Sequence, residues 1–285
     1  MSYPEPTPAT PAPPVPKVSR AGRNLPAAIG SALVLGAAIV TSLLVWKPAF
    51  MVIVVAAVLL AIWELGNAFA TGDIRLVREP LWIGGVVMVL TAYVFGAPSM
   101  VTATAVTILA CMLWRLRGGI YGYVRDITAT AFTAFYVPFL GGFVALMLAE
   151  PRGDLAIVTF IVVTIASDIG GYAVGVLVGK HPMAPVISPK KSWEGFVGSA
   201  VSCGVAGWLL VAYLLDGDWW VGVLLGLIAV VTATLGDLCE SVIKRDLGIK
   251  DMSQIIPGHG GLMDRLDSLL ATAAPTWLLL HYLVL

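Results

Sequence analysis

Charge is what this sequence has least of: Asp, Glu, Lys and Arg make up 12% of it, the signs cancel to zero net charge, and 59% of the residues are hydrophobic. An average soluble domain carries about 25% charged residues, so a mean hydropathy of +0.92 marks an integral membrane protein. The neutral balance also excludes the basic surface that a nucleic-acid partner needs. Cysteine is scarce too. Cys111, Cys203 and Cys239 lie in or beside apolar runs, at neither disulfide nor zinc spacing, and read as inert packing residues. A signal peptide is also missing, because the first apolar run follows Lys17, Arg20 and Arg23 and is long enough to span. It reads as a retained helix.

Proline is crowded into the start of the chain, where Pro4, Pro6, Pro8, Pro11, Pro13, Pro14 and Pro16 interrupt any apolar periodicity. Such a stretch buries too little surface to fold, which predicts a disordered cytoplasmic tail over residues 1–24. A bilayer core needs about 20 apolar residues per helix. Runs of that kind fall near Leu25–Val45, Ala49–Asn67, Leu81–Phe95, Ser99–Trp114, Ile127–Leu148, Leu155–Val178, Phe196–Leu215, Trp219–Gly236 and Ser268–Val284. The expected fold is therefore all-α and polytopic, with about nine transmembrane helices. Residues 25–150 would form an N-terminal helical region and 151–285 a catalytic one. The boundary at Gly96, Ala97 and Pro98 is the least defined.

With nine spans, all of the 17 Lys and Arg except Lys47 and Arg152 fall in the tail or in the loops after even-numbered spans. The positive-inside rule then puts the N-terminus and those loops in the cytoplasm, and the protein in the plasma membrane. Trp46, Trp82, Trp114, Trp219 and Trp220 sit at span ends and read as interfacial anchors.

The charge that is present gathers in one place. From Asp237 the sequence runs through SVIKRDLGIKDMSQIIPGHGGLMDRLD, Ser241 to Asp267. Asp237, Glu240, Ser241 and Lys244 stand at helical offsets that put all four on one face. Asp264 and Asp267 enter the last span, and Pro257–Gly261 breaks the helix between, with glycines that let backbone N–H groups approach an anion. Carboxylates at two helix ends beside Lys244, Arg245, Lys250 and Arg265 suit a magnesium nucleotide site, since the ion takes a few carboxylates plus phosphate oxygens. Asp246, Lys250 and Asp251 by themselves read as a solvated loop.

Upstream, Asp168 lies inside the sixth span. It is either a functional acid or a carboxyl bonded to a neighbouring helix. Gly171, Gly175 and Gly179 form a close-packing face. The run ending in Gly179 and Lys180 is not a P-loop, because Val174 and His181 occupy positions that need Gly and Ser or Thr. In SPKKSWEG, Ser188 to Gly195, Pro189 is expected to fix a turn, and Ser188 or Trp193 to touch a base or sugar. Lys190 and Lys191 present cations that also suit a topology signal or a lipid headgroup.

Together SxxKR, KD and PxHGGxxDRxD, with GDLCES and SPKKSWEG upstream, resemble the phosphatidate cytidylyltransferase family, also called CDP-diacylglycerol synthase, over roughly the C-terminal half. Ser192 stands where the family usually has threonine, and Gly171 and Val176 where it more often has Ala and Arg. The resemblance implies that phosphatidic acid attacks the α-phosphorus of CTP, giving CDP-diacylglycerol and pyrophosphate. That chemistry needs no protein nucleophile, only positioning and charge neutralisation.

On this reading Asp237 and Asp264 are metal ligands, joined by Asp168 and Glu240. Lys190, Lys191, Lys244, Arg245 and Arg265 contact phosphate, and Ser188, Glu194 and Asp168 belong to the nucleotide-binding set. His259 either lies near a phosphate or stabilises its loop. Mg2+, a second cation such as K+, and a homodimer are implied. Two alternatives are a CTP-dependent polyprenol or phytol kinase-like transferase and an ion-coupled transporter.

Overall fold

The computed structural model describes residues 25–255 and 260–285; the tail expected over residues 1–24 and His259 lie outside them. The protein is an all-α polytopic membrane protein. Among the described residues ten α-helices run in order: α1 (Leu25–Val45), α2 (Lys47–Thr71), α3 (Arg78–Phe95), α4 (Ala97–Arg115), α5 (Tyr123–Ala134), α6 (Leu140–Ala149), α7 (Gly153–Val178), α8 (Trp193–Leu209), α9 (Trp219–Asp246) and α10 (Met263–Leu283). A π-helical turn, Phe135–Phe139, joins α5 to α6 in one continuous rod. Pro138 lies inside that turn, where the wider winding absorbs the missing N–H of a proline. Every expected span overlaps a helix. Among the described residues, seven helical stretches are long and apolar enough to cross a membrane.

Local chemistry explains the boundaries. Gly96, at φ +82°, stops α3 and starts α4 in a single residue, and Pro98 supplies the preset φ at the new N-terminus. A second π turn, Leu210–Leu214, closes α8. Trp46, Trp114, Trp219 and Trp220 are exposed at helix ends, as interfacial anchors would be. Cys111 and Cys203 are buried, but Cys239, expected to pack, is exposed.

One correction concerns the segment after α7. Pro182–Ala184 (β1) pairs antiparallel with Ser188–Ser192 (β2), Pro182 opposite Ser192 and Ala184 opposite Ser188. Pro189 therefore lies within a strand rather than fixing a turn. A two-stranded ribbon tolerates it because a proline needs only an edge position. Ser192 then caps α8, its Oγ accepting the Gly195 N–H at 3.1 Å.

Four helices, α7 to α10, pack in sequence beside α2, α3 and α6. The glycine face of α7 is structural: a Cβ on Gly171 would meet Ser199 Oγ at 2.5 Å. That closeness lets Ser199 Oγ donate to Ser167 O at 2.6 Å, tying α7 to α8. Between α8 and α9, Gly207 and Gly222 bring their backbones into direct contact. The longest helix is α9. Its 28 residues, at 1.5 Å each, reach about 42 Å, well beyond an apolar layer of about 30 Å. Counted from Trp219, that surplus falls over the end of the helix that bears Glu240 to Asp246.

Candidate active site

A cavity of about 310 Å³ opens between α7, β2, α8, α9 and the first turns of α10. Its polar lining includes Asp168 from α7, Ser188, Lys190 and Lys191 from β2, and Asp237 from α9. Five of the residues picked out by sequence thus meet from three separated segments. The ribbon achieves this, since strand β2 carries both lysines back across the end of α7 toward α9. Lys191 Nζ lies 2.6 Å from Asp237 Oδ2, and Ser241 Oγ, one turn on, donates to Asp237 Oδ1 at 3.2 Å. Asp168 lies within electrostatic reach of Asp237, Lys191 and Arg265.

A second polar cluster sits beside the first. Lys244 Nζ bridges Glu240 Oε2 and Asp264 Oδ1, each at 2.7 Å. Asp264 uses its other oxygen to accept the N–H groups of Met252, at 3.0 Å, and Gly261, at 2.9 Å. Glu240 is 1% exposed, and its Oε1 has no hydrogen-bond partner among the described residues. Asp267, also buried, lies within electrostatic reach of Asp237, Lys244 and Asp168 and so links the clusters.

Other expected site residues are placed differently. Arg245 Nε donates to Ile187 O at 3.5 Å, holding the ribbon rather than facing the cavity. Glu194 turns to His181: its Oε1 lies 2.5 Å from His181 Nδ1, and its Oε2 accepts the N–H groups of Lys180 and His181 at 3.2 Å each. Arg265 is exposed at the first turn of α10, and Asp246, Lys250 and Asp251 are exposed as a solvated loop would be.

Among the described residues no three His, Cys, Asp or Glu side chains are arranged to hold a metal by themselves. Magnesium is commonly held by one or two carboxylates, with waters and substrate phosphates filling the rest of its shell. Asp237 and Asp168 on one cavity wall, with the orphaned Glu240 Oε1 a turn away, fit that mode.

Two acids at this site escaped the sequence reading of site residues. The sequence places Asp267 with Asp264 at the entry to the last span but gives it no role in the site. Glu64, inside the second span near its C-terminal end, is 0% exposed and accepts hydrogen bonds from Ser253 Oγ (2.5 Å), Leu262 N (2.9 Å) and Met263 N (2.6 Å). The signal was present, for the rule that singles out a mid-span acid at Asp168 applies equally to Glu64.

The sequence profile of the cytidylyltransferase family matches residues 26–283. The chain is 43% identical over 279 residues to a phosphatidate cytidylyltransferase of Mycobacterium bovis, spanning 93% of this chain and 91% of the relative. A phosphatidate cytidylyltransferase of Mycobacterium leprae is 42% identical over 281 residues, 93% of this chain and 90% of the relative. One from Helicobacter pylori is 32% identical over 233 residues, 79% of this chain and 84% of the relative.

Proposed function

This chain belongs to the cytidylyltransferase family, and we propose that the cavity walled by Asp168, Lys191 and Asp237 is where it works on CTP. The chain is a nucleotidyltransferase with the phosphatidate cytidylyltransferase activity of its relatives. A phosphate oxygen of phosphatidic acid forms a bond to the α-phosphorus of CTP as the bond to pyrophosphate breaks. CDP-diacylglycerol stays in the membrane.

The observation that carries the site assignment is the meeting of Lys190, Lys191, Asp168 and Asp237 around one cavity. Lys190 and Lys191 neutralise the triphosphate and orient its α-phosphorus toward the lipid. Asp237 and Asp168 would hold magnesium, which would supply charge neutralisation for the phosphate oxygens and the leaving pyrophosphate. Lys244 is shared between Glu240 and Asp264; these two carboxylates would join the ion-binding set, with Lys244 beside them to meet substrate phosphate. A second cation such as K+ fits the unpartnered Glu240 Oε1. Ser188, on the cavity wall, bonds the nucleotide, while Arg265 adds positive charge nearby and Arg245 steadies the ribbon that carries the lysines.

The reading places nine spans in the plasma membrane with the N-terminus and this cavity on the cytoplasmic side, where CTP is found. The sorting of Lys and Arg supports that orientation. A homodimer completes the proposal.

Lys191→Ala tests the nucleotide assignment. A charge-assisted hydrogen bond contributes about 1.5–3 kcal/mol, so the apparent KM for CTP is expected to rise about 10- to 100-fold, with a smaller change in the KM for phosphatidic acid. An unchanged CTP KM removes Lys191 from the site.

A further inference from the structure

The first turn of α10 needs a cap that its own sequence does not provide. Leu262 occupies the N-cap position and makes no side-chain capping bond, so the N–H groups at this helix start have no local acceptor. Glu64 supplies one from the second span. Its Oε1 accepts the Leu262 N–H and its Oε2 the Met263 N–H, which places a carboxylate at the positive end of the helix dipole. The same Oε1 accepts the Ser253 hydroxyl. Both ends of the segment from Ser253 to Leu262 are therefore fastened to one buried side chain.

Asp264 repeats the arrangement from the other side, holding Met252 N and Gly261 N. Gly261 is enclosed between the two acids: a Cβ there would meet Asp264 Oδ2 at 2.9 Å, Ser253 N at 3.0 Å and Glu64 Oε1 at 3.1 Å. A residue in α2 thus fixes how Asp264 reaches Lys244.

We propose that Glu64 is a positioning residue of the active site, capping α10 across the fold and clamping both ends of the glycine-rich segment so that Asp264 and Lys244 meet. The proposal rests on the reading of Asp264 and Lys244 as part of the site. It gives the N-terminal helices a catalytic duty beyond spanning the membrane.

The test is Glu64→Gln in the full-length protein, read by amide hydrogen exchange and by steady-state kinetics. A glutamine keeps the size and one acceptor oxygen but loses the charge and the second acceptor. Exchange at Leu262 and Met263 is expected to quicken about tenfold or more while the rest of α2 stays protected. A small misplacement of catalytic groups costs about 100-fold in rate, so kcat is expected to fall by about that factor with the CTP KM changed far less. Ser253→Ala removes one of the three bonds and should shift both readouts the same way by less, and it carries the test if Glu64→Gln does not fold. Unchanged exchange at Leu262 and Met263, or an unchanged kcat, overturns the proposal. Asp264→Asn, assayed alongside, separates the two levels: an active Asp264→Asn removes the site reading, whereas unaltered exchange in Glu64→Gln removes the clamp.

Discussion

Asp237→Asn is expected to lower CTP-dependent turnover by about 100- to 1,000-fold, the loss typical when one preorganised charge-stabilising group is taken from an active site. Asparagine keeps the shape and the bond from Ser241 but removes the negative charge that pairs with Lys191 at 2.6 Å. Stability should barely change. Lys191 and Asp237 are 26% and 36% exposed, and an ion pair this wet contributes about 0–1 kcal/mol. The protein should therefore accumulate in the membrane at the wild-type level, with an unfolding midpoint close to wild type. Near-normal turnover in purified Asp237→Asn would remove this carboxylate from the ion-binding set, and a collapse of the fold would reassign it to structure.

Lys244→Ala should act on fold and rate together. The ammonium lies between Glu240, whose side chain is 1% exposed, and Asp264, at 9%. Removing it leaves two buried carboxylates without their shared counter-charge, and breaking a buried ion pair from one side costs about 3–5 kcal/mol. For a chain of this size that corresponds to a drop of about 10 °C in the unfolding midpoint, with turnover falling as well. Adding Glu240→Gln to Lys244→Ala relieves one of the stranded charges, so part of the stability should return while activity does not. Equal midpoints for Lys244→Ala and wild type would show that Lys244 is not the counter-ion of this cluster.

How far the sequence led depends on the range of the interaction involved. Each run that hydropathy marked overlaps a helix, because a bilayer imposes its thickness locally, and among the described residues seven stretches are long and apolar enough to cross. Spacing found Asp237, Glu240 and Lys244 for the same reason: helical offsets are read from neighbours, and α9 continues unbroken through them. Asp168 and Lys191, which motif order alone connects in the sequence, line the same cavity. What spacing did not reveal was long-range or weakly encoded. A five-residue strand holding Pro189 has almost no alternating pattern to detect. Glu194 was grouped with SPKKSWEG by sequence, yet it bonds back to His181 across the ribbon. Glu64 was overlooked because its partners at Ser253, Leu262 and Met263 lie far along the chain. The one signal the sequence carries for it is an acid placed inside an apolar span.

The most direct measurement follows a single phosphorus atom. Purified protein is incubated with phosphatidic acid, magnesium and CTP labelled at the α-phosphorus, and the products are separated. The account predicts label in a nucleotide-bearing lipid with one pyrophosphate released per lipid formed, and neither product from Asp237→Asn. Release of labelled CDP, with the γ-phosphate passed to an acceptor alcohol, would contradict it.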